Sequence, residues 1–262
     1  MSAAPGVLHL APTPIGGEPA RVLAPALLEA LAPLRYFVVE NERSAWRFLS
    51  RFMDRAGLDA VRMAVLDEHT ADGDVPALLD PVLAGEDGAI LSEAGLPCVA
   101  DPGSKLVALA HRGGVRVVPW PGPSAPLMTL MASGFDGQRF EFRGYLPAER
   151  GERERALLEV ERAARRGVTQ IFIETPYRNK ALLADALRLL SPDTLLAVGF
   201  ALMGPGEFVR SGPVADWRAR PWEPGKEPAV FVVAATSAGA VPRSARPSRA
   251  PKLDGRPARR RD

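Results

Sequence analysis

Short apolar runs closed by Gly, Pro, Asn or Asp alternate along the first half of the chain with longer stretches whose apolar residues recur every three or four positions. Runs of the first kind read as buried strands, and stretches of the second as helices packed on them. VLHLAP, YFVVE, VRMAVL, GAILSEA and VRVVPWPG are predicted to be strands. Between them lie helical patterns. PARVLAPALLEAL is interrupted by Pro25, and SAWRFLSRFMDRAG puts Trp46, Leu49, Phe52 and Met53 on one face behind Ser44 as N-cap. DVPALLDPVLAG and SKLVALAHRGG follow, the latter closed by Gly113 and Gly114. Repeated βα units with apolar, β-branched strands predict a mainly parallel sheet between helical layers.

The pattern changes near SGFDGQ, where the apolar helix SAPLMTLMA ends. FEFRGYL reads as a strand and ERGERERALLEVERAARRG as a charged amphipathic helix whose buried stripe is Leu157, Leu158 and Val160. TQIFIE, NKALLADALRLLS, LLAVGFALM, EFVRSG, VADWRAR and PAVFVVAAT complete a second α/β unit that includes antiparallel pairing. The expected organisation is an N-terminal α/β domain over residues 1–135, a C-terminal one with a mixed sheet over 136–236, and a basic disordered tail over 237–262.

Composition sharpens this picture in two places. The tail holds eight Lys or Arg against two Asp, which leaves 25 basic and 29 acidic residues in the rest of the chain. Rich in Pro, Ser, Ala and Arg, it cannot bury enough surface to fold, and serves either as an electrostatic arm for a nucleic-acid backbone or as a solvated terminus. Elsewhere, one cysteine, Cys98, forbids an internal disulfide, and with three scattered histidines, His9, His69 and His111, it builds no metal cluster. No stretch approaches the roughly 18 consecutive apolar residues of a membrane span, and the N-terminal segment has no basic start, so a cytoplasmic protein without membrane partners is expected.

Four strands end in conspicuous loops: APTPIGGEPA, ENERS, SEAGLPCVADPG and PWPGPSAP. Ligands of open α/β sheets bind beyond such carboxyl ends. The loops contain neither a Walker A motif nor G-x-G-x-x-G, so they are not a phosphate cradle of the usual kind. Trp120, following a strand at the expected cleft, is a ring to watch, either in the cleft or packed across the domain interface.

Taken in order, TPIGG, ENER, SEAGLPCVADPG, PGPSA and IETPYRN resemble the tetrapyrrole methylase superfamily, whose pattern is roughly TPIGN, EDTR, SDAGTPxxSDPG, PGPSA and ESPHR. Within it the chain is similar to the branch of ribosomal RNA small subunit methyltransferase I, over about residues 7–236. The resemblance implies two α/β domains, a homodimer, and S-adenosylmethionine held in the cleft between domains for 2′-O-methylation of a ribose in small-subunit ribosomal RNA. It implies cofactor contacts from Pro12 and Thr13, Ala94, Gly95, Leu96 and Val99, Ser124 and Ala125, Glu174, and Ala229. Glycine and proline suit this cofactor because they let bare main chain approach closely and hold it there.

Asp101, in the ADPG that matches the family's SDPG, is the candidate for orienting or deprotonating the acceptor hydroxyl; otherwise it closes an Asx-turn or caps a helix. Glu40 and Arg43 would shape the acceptor pocket or form a surface ion pair, and Tyr177 and Arg178 stand where the family places acceptor-facing residues. Arg150, Arg153 and Arg155 would help grip an RNA backbone. The chain departs from the pattern at Asn41-Glu42, Glu93, Leu96, Tyr177 and FALMGPGEF. Those departures leave open a tetrapyrrole or other small-molecule acceptor, or a non-catalytic cofactor- or RNA-binding protein.

Overall fold

The computed structural model describes residues 4–236, so the basic tail expected over 237–262 lies outside the described residues. Ten strands form two five-stranded sheets. The first is built from β1 (Val7–Ala11), β2 (Tyr36–Val39), β3 (Arg62–Val65), β4 (Gly88–Leu91) and β5 (Arg116–Pro119), ordered β3-β2-β4-β1-β5 and parallel throughout. Alternation along its strands sends side chains to two helical layers. Phe37, Val39, Ala89 and Leu91 pack on α2 (Pro25–Leu31), α3 (Glu42–Leu49) and α4 (Arg55–Asp59). Tyr36, Val38 and Ile90 face a short 3₁₀ turn (Val75–Leu79), α5 (Asp80–Leu83) and α6 (Ser104–Arg112) on the other side.

The second sheet holds β6 (Phe140–Tyr145), β7 (Thr169–Glu174), β8 (Leu195–Phe200), β9 (Phe208–Pro213) and β10 (Ala229–Ala234), ordered β6-β7-β10-β8-β9. Only β6 and β7 run parallel; the other neighbours are antiparallel. Phe172 and Phe231, stacked with ring centres 5.5 Å apart, face α8 (Arg150–Arg165), α9 (Asn179–Leu189) and α10 (Val214–Ala219). The opposite face, with Ile171, Ala197 and Val232, is covered by α7 (Ala125–Ser133) through Leu130. Helix α7 precedes residue 135 yet packs on β8 and β10, so the two halves are stitched together ahead of that point.

Proline and capping chemistry account for the departures in detail. Pro25 divides the first helical pattern into α1 (Pro19–Val22) and α2, each with proline in its first turn. The cap of α3 is Asn41, not Ser44: the Asn41 side chain accepts from the Ser44 N–H at 3.0 Å. Helix α3 then stops at Leu49, so the stripe expected on one long helix is broken. Ala45, Phe48 and Leu49 are buried, Phe52 and Met53 reach the core from the following turn, and Trp46 is 52% exposed. On α8, Leu157 and Val160 are buried as expected, while Leu158 is half-buried. Arg153, expected on an RNA-gripping face, is buried against Asp185, and Arg150 and Arg155 pair with Glu154 and Glu152 of their own helix.

Candidate functional site

The carboxyl ends of β1, β2, β4 and β5 open toward the second sheet, and the space between encloses a cavity of about 820 Å³. That is ample for a nucleoside-sized ligand and part of a second molecule. Its floor is set by one main-chain clasp. Thr13 and Gly95 exchange both hydrogen bonds of an antiparallel bridge, at 2.9 and 3.1 Å. Ser92 Oγ donates to the Gly95 carbonyl at 2.8 Å, and Thr13 Oγ1 to the Ser92 carbonyl at 3.2 Å. Gly95 sits at φ +83°, a conformation glycine adopts without steric cost.

Two further loops complete the wall. Gly16 lies against the Leu202–Met203 backbone so closely that a Cβ would come within 2.9 Å of the Met203 carbonyl. Among the described residues, four non-glycine residues take positive φ, Cys98, Ala100, Ala201 and Met203, and all fall in the loops after β4 and β8 that border the cavity. Strain of this kind persists only where the surroundings over-determine the backbone. Cys98 is no nucleophile there, since burial pushes its thiol up to about 12.

The residues picked out from sequence divide into two groups. Ala94, Gly95, Leu96 and Val99 line the cavity after β4, Ser124 and Ala125 after β5, and Glu174 and Ala229 from the second sheet; Glu40 and Asp101 join them. Pro12 and Thr13 do not line it. Pro12 is buried under Gly122, where a Cβ would sit 2.3 Å from the proline ring, and Thr13 spends its main chain on the clasp. Arg43 lies on the exposed face of α3 beside Trp46, and no ion pair joins it to Glu40. Tyr177 and Arg178 stand in the turn after β7, outside the lining. Trp120 is not in the cleft: its Nε1 donates to His9 Nδ1 at 3.0 Å and its ring packs on the first-sheet core.

The charged residues of the lining are all acidic: among mostly apolar and glycine positions stand Glu40, Glu93, Asp101, Glu174 and Glu227, and no Lys or Arg. Asp101 Oδ1 accepts from the Gly103 N–H at 2.8 Å, whereas Oδ2 is buried without a partner. Burial raises the Asp101 pKa, and hydrogen bonds from the Gly103 and Cys98 backbones pull it back only partly. Glu40 accepts from the Glu93 N–H at 2.7 Å, and its pKa is raised first by burial and then by the charges of Asp101 and Glu93. Glu174 Oε1 takes the Thr175 N–H at 2.6 Å and the Arg178 guanidinium at 2.7 and 2.8 Å, leaving Oε2 buried without a partner.

Several lining residues were not among the site residues picked out from sequence: Ile15, Leu202 and Gly204 to Gly206 of the FALMGPGEF segment, and Tyr145 at the end of β6. The loop had a signal in its Gly-Pro-Gly run; Tyr145 had none. Among the described residues, no group of three or more His, Cys, Asp or Glu could hold a metal ion, and no helix is long and apolar enough to cross a membrane.

Comparison with known proteins agrees with this layout. Residues 21–218 match the model of a family described as Tetrapyrrole (Corrin/Porphyrin) Methylases. The chain is 32% identical over 212 residues to ribosomal RNA small subunit methyltransferase I of Vibrio cholerae, covering 80% of this chain and 69% of the relative. It is 32% identical over 211 residues to the Escherichia coli O157:H7 protein of that name, covering 80% and 70%. The solved structure of the methyltransferase CobJ superposes with a TM-score of 0.61 at 18% identity, covering 88% of this chain and 95% of that one.

Proposed function

The chain belongs to the tetrapyrrole methylase family, and from that premise we propose that it is a cytoplasmic enzyme that uses S-adenosylmethionine to methylate a ribose 2′-hydroxyl in small-subunit ribosomal RNA. That it is a methyltransferase follows from the family and its relatives; donor and acceptor are our reading. The observation that carries the donor is the lining, whose charged residues are five carboxylates, Glu174 among them spent on Arg178, with no Lys or Arg. Such a wall suits a ligand bearing a sulfonium and an ammonium group and repels one built of phosphates. Gly16 and Gly95 let the loops close on one another, Gly16 against the Leu202–Met203 backbone and Gly95 on Thr13, and so fix the wall that the donor meets.

When bound, S-adenosylmethionine supplies an already activated methyl group, so the protein's task is alignment and proton removal. Alignment alone contributes on the order of 7 kcal/mol or more when reacting atoms are held at near-attack distance. The Thr13–Gly95 clasp and the strained loops fix the wall against which that alignment is made. Asp101 receives the hydroxyl proton. Its Oδ2 is a buried acceptor without a hydrogen-bond partner, and burial raises its basicity above that of an ordinary carboxylate. Burial, and after it the charge of Asp101, raises the Glu40 pKa as well.

The direct test is transfer of labelled methyl from S-adenosylmethionine to purified small ribosomal subunits, with calorimetry of the donor and its demethylated product. Micromolar binding, about −8 kcal/mol, is expected, with label in the RNA. No heat with the donor sinks the cofactor reading. Label in a small molecule and none in RNA favours the alternative, a tetrapyrrole or other small acceptor, which the wall's lack of basic residues also allows.

We assign the homodimer contact to α7. Leu127 and Met131, one turn apart, are 47% and 79% exposed on a helix without a charged residue, an apolar face that a monomer has little reason to show. Sedimentation is expected to give a dimer for the parent and a monomer for the Leu127→Glu, Met131→Glu double variant; a monomeric parent removes the assignment.

A further inference from the structure

Tyr177 is 86% exposed and Tyr145 54% exposed, and both stand around the end of β7 where the cleft opens. The turn that carries Tyr177 is held on both sides. The Arg178 N–H closes it onto the Thr175 carbonyl at 3.0 Å, and the Arg178 guanidinium is locked on Glu174. Tyr145 ends β6 opposite Ile173 of β7 and lines the cavity. Burial raises the pKa of its phenol, with the charges of Glu174 and Glu40 adding to the shift and that of Arg178 opposing it. An aromatic ring left open on a rigid turn gains little from folding, and its apolar face is free for a ligand.

The lining decides which ligand part that is. With acidic side chains as its only charged lining, the cleft disfavours phosphates, so a nucleic-acid acceptor presents sugar and base there and keeps its backbone outside. We propose that Tyr177 and Tyr145 form a stacking platform for unpaired nucleobases flanking the methylated ribose. The acceptor is therefore a single-stranded or extruded segment of RNA, since base-on-ring stacking needs bases freed from their helix. The inference rests on the RNA reading above.

The experiment is steady-state methylation of small ribosomal subunits by Tyr177→Ala, Tyr177→Phe and Tyr177→Trp, with Tyr145→Ala as a second site. Tyr177→Ala is expected to raise KM for the subunit by roughly 5- to 150-fold, with kcat and donor affinity by calorimetry unchanged. Tyr177→Phe and Tyr177→Trp restore KM, because a stack needs the ring and not the hydroxyl. The slope of log KM against log salt stays as in the parent, whereas loss of a phosphate contact lowers it. An unchanged KM in Tyr177→Ala, or a Phe variant as impaired as the Ala one, overturns the platform while the RNA reading stands. A parent enzyme that methylates no RNA overturns both.

Discussion

Asp101→Asn is expected to lower methyl transfer by about 10²- to 10⁴-fold while the donor binds as before. Asparagine keeps the Oδ1 acceptor that the Gly103 N–H uses, and it closes the same Asx-turn, so loop geometry survives and only the basic oxygen is lost. In the parent the rate should climb with pH through a midpoint above the usual carboxylate range, because burial raises the Asp101 pKa and only the ionised form accepts the proton. The sign for stability is the reverse. A carboxyl whose folded pKa lies above its unfolded value costs stability once pH exceeds the unfolded value, and that cost vanishes in acid. Asp101→Asn removes it, so the inactive variant should melt no lower than the parent near neutrality. Single-turnover transfer and thermal unfolding test the two halves. Near-parental turnover would return Asp101 to a purely structural role.

This opposition between activity and stability also explains how far the site could be read from sequence. The strands were legible because their alternation is strong: in YFVV the pairs Tyr36, Val38 and Phe37, Val39 go to opposite cores. The loops were legible because glycine and proline declare a constrained backbone, and Gly95 and the residues around it line the cavity. Side-chain direction was not legible. Pro12 and Thr13 lie in the right loop but face inward, since Thr13 must use both its N–H and its carbonyl to hold Gly95. Trp120 follows a strand that reaches the cleft, yet its indole turns back to a histidine 111 positions away. Tyr145 was missed because its place depends on the register of β6 against β7, including an irregularity between Phe142 and Tyr145. Arg153 was misread for the same reason: a charged position on an amphipathic helix reads as solvent-facing until its partner on another helix is known.

That partner makes the second large effect. Arg153 donates from Nε and Nη2 to Asp185 Oδ2 at 3.0 and 2.7 Å, and from Nη1 to the Ala148 carbonyl at 2.7 Å. Both side chains are about nine-tenths buried between α8 and α9. Arg153→Ala is expected to cost about 3 kcal/mol, the lower end for breaking a buried pair from one side, because Asp185 Oδ1 keeps a bond from Arg188 at 3.0 Å. Denaturant titration should show the loss as a lower midpoint at unchanged slope. The loss should also depend on pH. Burial alone would raise the Asp185 pKa, but hydrogen bonds from Arg153 and Arg188 outweigh it and hold the pKa below the usual range. A depressed carboxyl stabilises above its unfolded pKa and loses that contribution as pH falls through the folded value, so parent and variant should converge in strong acid. The double variant Arg153→Met, Asp185→Leu replaces both charges by apolar groups, and much of the stability should return because no uncompensated charge stays buried. A cost under about 1 kcal/mol for Arg153→Ala, within the range of an exposed pair, would mean that the pair carries none of the packing between α8 and α9.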